Sequence, residues 1–225
     1  MTTVTRGAIT TERLIVVAEQ LYADHGLAAV SLRQIAEAAG QKNHAVVQYH
    51  FGTKEELLKA IVRYRTEDAQ DQRRAALDQL EAEGRQHDVR GLLEAAVIPL
   101  VKCQPPGSNY LRFVVALQPV VLSDIWVDIG DQHGSTSRRI ATYLDEALSD
   151  LPAALRGARI VRAFDMILRA LAEQFGGQES PTRRRVPDDL FLDELVLSGA
   201  AVLEAPLPPQ AAQRLRGRSE AGAFR

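Results

Sequence analysis

The side chains best suited to reading another molecule crowd into one short stretch, KNHAVVQYHFGTK at residues 42–54. Lys42, Asn43, His44, Gln48, Tyr49, His50 and Lys54 carry donors and acceptors, whereas Val47 and Phe51 are apolar and read as core. The chemistry these types offer is hydrogen bonding. Asn and Gln amides bond adenine edges in pairs, and a Lys ammonium bonds guanine acceptors. Catalytic constellations are missing. The chain has no G-x-S-x-G, no phosphate-binding Gly loop, no H-E-x-x-H and no C-x-x-C. His44 and His50 are six residues apart, which is off one helical face and wrong for a metal pair. The single cysteine, Cys103, excludes an internal disulfide framework and a zinc ribbon and reads as a small buried hydrophobe. The chain is therefore expected to be no enzyme and to need neither cofactor nor metal.

The elements that must hold these residues are legible on either side. Ser31 is an N-cap, since its hydroxyl can accept from an otherwise unpaired backbone N–H. Leu32, Ile35, Ala36 and Ala39 follow at helical spacing and give one apolar face. Gly40 stands where the chain must leave that helix with positive φ. A second short helix is expected from Asn43 or His44 to Tyr49. Thr53 caps the next, with Glu56 three residues on as in a capping box. Two helices joined by a Gly-containing turn, the second rich in bonding side chains, form a DNA-reading helix-turn-helix. Lys42, Asn43, His44, Gln48 and Tyr49 are then the candidates for the major groove. Ser31 and Arg33, at the positive end of the preceding helix, suit phosphate.

The stretches AEQLYADHG, SLRQIAEAAG and YHFGTKEELL resemble the DNA-binding domain of the TetR family of bacterial transcriptional regulators. The match runs from Leu14 through Leu58, and the family's His-Phe-x-x-Lys-x-x-Leu run falls on His50, Phe51, Lys54 and Leu57. One departure stands out. The segment between Gly40 and Phe51 is one residue longer than in most members, and Gln48 takes the place of the first of two aromatics. The resemblance implies that Tyr49, His50 and Lys54 contact phosphates. It also implies a homodimer, a palindromic operator in double-stranded DNA and a small-molecule effector; members sense drugs, acyl thioesters, steroids and antibiotics.

The net charge of −2 is not that of a broadly basic DNA binder. The first 60 residues balance Arg6, Arg13, Arg33, Lys42, Lys54 and Lys59 against Glu12, Glu19, Asp24, Glu37, Glu55 and Glu56. Placement matters more than the total, because residues 38–54 contain no acid. An acid-free window can meet phosphate even in a neutral domain.

The chain of 225 residues has ample length for one large or two modest domains, and its many Ala, Leu and Arg favour helix. No segment alternates at strand period. The predicted architecture is all-α, with about nine helices. Residues 1–9 form a flexible arm, 10–56 the DNA-binding domain, 57–205 a ligand-binding and dimerisation domain, and 206–225 a flexible basic tail. A first helix over Thr11–Asp24 ends at Gly26. The helix from Thr53 turns charged beyond Arg65, stops at Gly84, and reads as a stiff connector. Further helices are expected over 88–103 with Pro99 inside, from Tyr110 to Pro119, around Trp126 and Ile129, through Ile140 and Leu148, from Pro152 to Phe175, and from an Asp188 or Asp189 cap to Glu204. The last is apolar nearly all round and must be covered on most sides.

Prolines at 99 and 119 and glycines at 130 and 134 bend or weaken helices close to several aromatics. That pattern points to a pocket lined by Tyr110, Phe113, Trp126, Phe164 and Met166, with Gln118 among the polar groups that orient its ligand. Few polar groups in an apolar pocket imply a hydrophobic or amphiphilic small molecule. The last two long helices carry surplus apolar surface that a second copy would cover in a four-helix bundle. Arg183, Arg184, Arg185 and the tail arginines read as solvated segments. No apolar run approaches the roughly 18–20 residues of a membrane span. The start MTTVTRGAIT lacks a secretory apolar core, so a cytoplasmic protein is expected. The reading is a repressor released from its operator by its ligand. A DNA-binding protein governed by a protein partner, with no small-molecule effector, is the alternative.

Overall fold

The computed structural model describes residues 6–121, 135–176, 186–207 and 209. Among the described residues there are nine helices and no strand. The small N-terminal unit holds α1 (Arg6–His25), α2 (Leu32–Ala38) and α3 (Val46–Phe51). The long α4 (Lys54–Ala82) leads into α5 (Val89–Lys102), α6 (Tyr110–Val121), α7 (Ser135–Ala147), α8 (Ala153–Phe175) and α9 (Asp188–Glu204). The chain thus has an N-terminal helix-turn-helix domain and a larger C-terminal helical domain. The expected helix around Trp126 lies outside the described residues, as do residues 1–5, Arg183–Arg185 and the tail arginines.

Local chemistry sets most boundaries. Ser31 accepts from the Gln34 N–H at 3.3 Å, and the Gln34 side chain accepts from the Ser31 N–H at 2.8 Å, a complete capping box. At the other end of α2, Gly40 N–H donates to Glu37 O and Gln41 N–H to Ala36 O, both at 2.9 Å. This paired closure needs its Gly, whose φ is +72°. Thr53 accepts from Glu56 N–H at 3.2 Å and Asp88 from Gly91 N–H at 3.2 Å, starting α4 and α5.

Three boundaries differ from expectation. α1 begins at Arg6, inside the stretch expected as a free arm. No Pro interrupts it there, and adding residues to an existing helix costs little. α3 begins only at Val46, because Asn43 Oδ1 accepts from Ala45 N–H at 3.0 Å and holds a turn instead. The cap of α9 is Pro187, with Asp188 and Asp189 in its first turn.

The helix α4 spans about 43 Å at 1.5 Å per residue over its 29 residues. It is more than an exposed connector. Ile61, Val62, Thr66, Ala69, Gln70, Arg73, Leu77 and Leu80 form a buried stripe along it, packed chiefly on α5. The charges read from the sequence occupy the other faces. α6 packs against α1 and α8, and α9 against α5 and α8. The α8–α9 approach is close, since a Cβ on Gly199 would meet Ile167 Cδ1 at 2.8 Å. The expectation for α9 holds on its inner side only. Leu195, Val196, Ala200 and Leu203 are buried, whereas Leu190 and Leu197 are 58% and 52% exposed.

Candidate nucleic-acid interface

The interface is built from α2, the turn at 40–45 and α3. Val47 is fully buried and Phe51 packs against the core, so α3 is seated by its apolar residues. Its other face is left to solvent. Gln48 is exposed, and Tyr49 is 86% exposed with only the His50 ring against it, edge-on at 5.4 Å. An aromatic ring held in water without burial gains nothing for folding. The pair is presented, and a partner surface is what it can serve.

The predicted residues divide by their present partners. Lys42 and Asn43 are exposed, but both sit in the turn before α3 and not on the helix. His44 also lies in that turn, 3.6 Å from Glu37. Arg33 is 73% exposed at its side chain and pairs with Glu37 at 2.8 Å. Arg33, chiefly through its hydrogen bond, holds the Glu37 carboxyl below its usual range; the charges of Arg33 and His44 add to this. Glu37 thus stands beside Arg33 of its own helix and His44 of the acid-free window. The signal was in the sequence, since Arg33 and Glu37 are four apart on one helix. Ser31 uses its hydroxyl in the capping box.

Two predicted phosphate contacts face inward. His50 is half-buried, and its Nδ1 lies 3.2 Å from the Thr11 hydroxyl, which ties α3 to α1. Lys54 is more firmly committed. Its ammonium donates to the carbonyls of Leu27 and of Val30, the latter at 2.8 Å, and lies over the Tyr22 ring at 5.3 Å. Burial pulls its pKa below the usual lysine value. Lys54 closes the loop between α1 and α2, where carbonyls would otherwise lack donors.

Sequence reasoning missed the seam that joins this domain to the rest. Glu19, 1% exposed, pairs with Arg65 of α4 at 2.5 Å. The same carboxylate accepts from the Asn109 backbone N–H at 3.0 Å, at the entry to α6. Arg112 of α6 pairs with Asp24 of α1 at 2.8 Å, and the Tyr22 and Phe113 rings lie 6.2 Å apart. The domains are therefore joined through α1 and α6 as well as through α4. Glu19 could have been found. It lies four residues after Ile15 and three before Tyr22, on an apolar helical face where a carboxylate needs a buried partner.

The predicted ligand residues are scattered in status. Tyr110 and Phe113 are fully buried, and Phe164 and Met166 are partly buried against the core. Trp126 and the side chain of Gln118 lie outside the described residues. A cleft of about 340 Å³ between α4 and α5 is lined by Gln72, Ala76, Glu94, Ile98 and Pro99 among others, and by none of the six predicted residues. Among the described residues no cluster of His, Cys, Asp and Glu could hold a metal, and no helix is long and apolar enough to cross a membrane.

A short helix with an exposed polar face, set by a Gly-closed turn on a second helix, defines a helix-turn-helix DNA-binding domain. Residues 14–61 match the family described as bacterial regulatory proteins, tetR family. No protein of curated function matches the chain. The chain is similar to a solved TetR family transcription regulator from Marinobacter aquaeolei VT8, with 16% identity over 84% of this chain and 94% of that one and a TM-score of 0.48. It is also similar to a protein assigned to that family from Mesorhizobium loti MAFF303099, at 18% identity over 88% and 98% with a TM-score of 0.44. A transcriptional regulator from Rhodococcus sp. Rha1 is similar at 22% identity over 88% and 99%, also with a TM-score of 0.44.

Proposed function

We propose that the protein is a homodimeric repressor that binds a palindromic operator and is released by a small hydrophobic or amphiphilic molecule. The observation that carries DNA reading is the exposed pair Gln48 and Tyr49 on a short helix whose inward residue, Val47, is fully buried. Gln48 reads a base edge in the major groove, and Tyr49, Lys42 and Asn43 complete the contact. Residues 10–56 carry this part, with Lys54 and His50 holding its shape. Residues 57–205 carry effector binding and dimerisation. The protein acts in the cytoplasm, where its operator is.

Dimerisation is supported by the apolar residues that one chain leaves uncovered. Val161 on α8 and Leu190 and Leu197 on α9 are 47%, 58% and 52% exposed. A second copy that buried them would create a four-helix bundle and two-fold symmetry. Ligand then favours a form in which the two α3 helices no longer match successive half-sites. Control by a protein partner is the second reading, favoured by the same open apolar face.

A gel-shift with DNA from upstream of the protein's own gene tests this at fixed salt, because phosphate contacts make affinity salt-dependent. A specific shift abolished by a cell metabolite extract is expected. A specific shift that ignores the extract favours the protein-partner reading, and no specific binding to any selected DNA contradicts both.

A further inference from the structure

The buried stripe of α4 holds a cation without a countercharge. Arg73 is 8% exposed, and its Nε and Nη2 both donate to one acceptor, the Ala96 carbonyl of α5, at 3.1 and 3.0 Å. No carboxylate pairs with it among the described residues. A guanidinium has five N–H donors, so Nη1 and the second N–H of Nη2 remain. Burial without a countercharge pulls its pKa below the usual arginine value. Beside it are two buried side-chain atoms without a partner among the described residues. The hydroxyl of Tyr110, fully buried at the start of α6, has no partner, and neither does Gln70 Oε1, three residues before Arg73 on α4. Burial pushes the Tyr110 hydroxyl above its usual range, and the nearby Arg73 charge acts against that rise. Glu19 does not neutralise Arg73, for it is held by Arg65 and the Asn109 N–H.

Native interiors leave few polar groups unpaired, because each costs free energy comparable to a lost hydrogen bond. A buried guanidinium with N–H groups to spare and a buried hydroxyl without a partner match a site whose missing member is an anion. We propose that Arg73 and Tyr110 form the polar end of the effector cavity, and that the effector is an organic acid with an apolar body and one carboxylate. The inference rests on the ligand-responsive reading above. The carboxylate takes the free edge of the Arg73 fork in a bidentate pair, and the Tyr110 hydroxyl donates to it. Phe113, whose ring lies 6.1 Å from that of Tyr110, begins the apolar wall. A purely structural role for Arg73 has its own motive. Pro99 lacks an N–H, which weakens the α5 turn that contains Ala96.

The test titrates the full-length protein with the straight-chain acids from hexanoate to dodecanoate and with the alcohols of matching length. Isothermal calorimetry at fixed salt and neutral pH reads affinity. At least one acid is expected to bind about tenfold or more tightly than its alcohol. Arg73→Met should weaken that acid about 10- to 100-fold and leave alcohols unchanged. Tyr110→Phe, which removes a hydroxyl without a partner, should weaken it about 3- to 10-fold. The proposal is overturned if no acid outbinds its alcohol, or if Arg73→Met keeps full acid affinity. Should Arg73→Met fail to fold, unchanged acid affinity in Tyr110→Phe overturns it equally. A gel-shift in parallel separates the two claims. Operator release by alcohols in both wild type and Arg73→Met keeps the ligand-responsive reading and sinks the acid site. Acids that bind through Arg73 without releasing operator keep the site and sink its role as effector cavity.

Discussion

The recognition end and the layer where α4, α5 and α6 meet treat polar groups in opposite ways. Around α3 most polar side chains are exposed or closed by local bonds, as with Ser31 to Gln34 and Asn43 to Ala45, while His50 and Lys54 bond to distant residues. In the α4–α6 layer the polar side chains are buried, and Gln70 and Tyr110 keep atoms with no partner. Water satisfies the first region whether or not DNA is present. In the second, the Gln70 and Tyr110 atoms find no partner among the described residues.

The largest effect is expected at the seam between the two regions. Glu19→Ala strands Arg65 in a buried position and removes the acceptor at the entry to α6. A loss of about 3–5 kcal/mol is predicted in urea unfolding, as for other buried pairs broken from one side. A loss below about 1 kcal/mol would mean that water reaches the pair and that the seam is loose.

Lys54→Met sharpens the division between reading and holding. Two charge-assisted bonds to carbonyls go, at a cost of about 1.5–3 kcal/mol in stability. The salt dependence of DNA binding should keep its slope. A fall of about 0.9 in that slope for each Lys54 would instead put the ammonium on a phosphate.

Gln48→Ala should do the reverse. Thermal stability stays within about 0.5 kcal/mol, since the residue is exposed. Operator discrimination falls by about 1–3 kcal/mol per half-site, read by competition gel-shift. Equal loss on operator and unrelated DNA would show that Gln48 does not read bases. The smallest effect belongs to the cap. Ser31→Ala should cost about 1 kcal/mol of stability, and a drop in DNA affinity with no loss of stability would reassign its hydroxyl to phosphate.

What the sequence made legible follows from the range of the forces involved. Caps, the Gly40 closure and the apolar faces of α2 and α3 are local, so Ser31, Gly40, Val47 and Thr53 could be placed from neighbours alone. The start of α3 could not, because Asn43 chose between joining a helix and bonding the Ala45 N–H, two outcomes of similar cost. The bonds that Lys54 and His50 make within the chain were hidden for a different reason. Both matched positions expected on DNA, yet their partners, Leu27 and Val30 for one and Thr11 for the other, come from distant parts of the chain. The charged face of α4 hid its buried stripe because Arg73 and Gln70 read as solvent residues by type. Only packing shows that they are inside.

Selection of binding sites from random duplex DNA by the purified full-length protein tests the central claim most directly. The account predicts enriched inverted repeats whose half-site centres lie about 34–36 Å apart, or a multiple of it, with the repeats degraded in Gln48→Ala. Enrichment of a single unrepeated site, or of no sequence at all, would contradict a pair of α3 helices reading DNA across a two-fold axis.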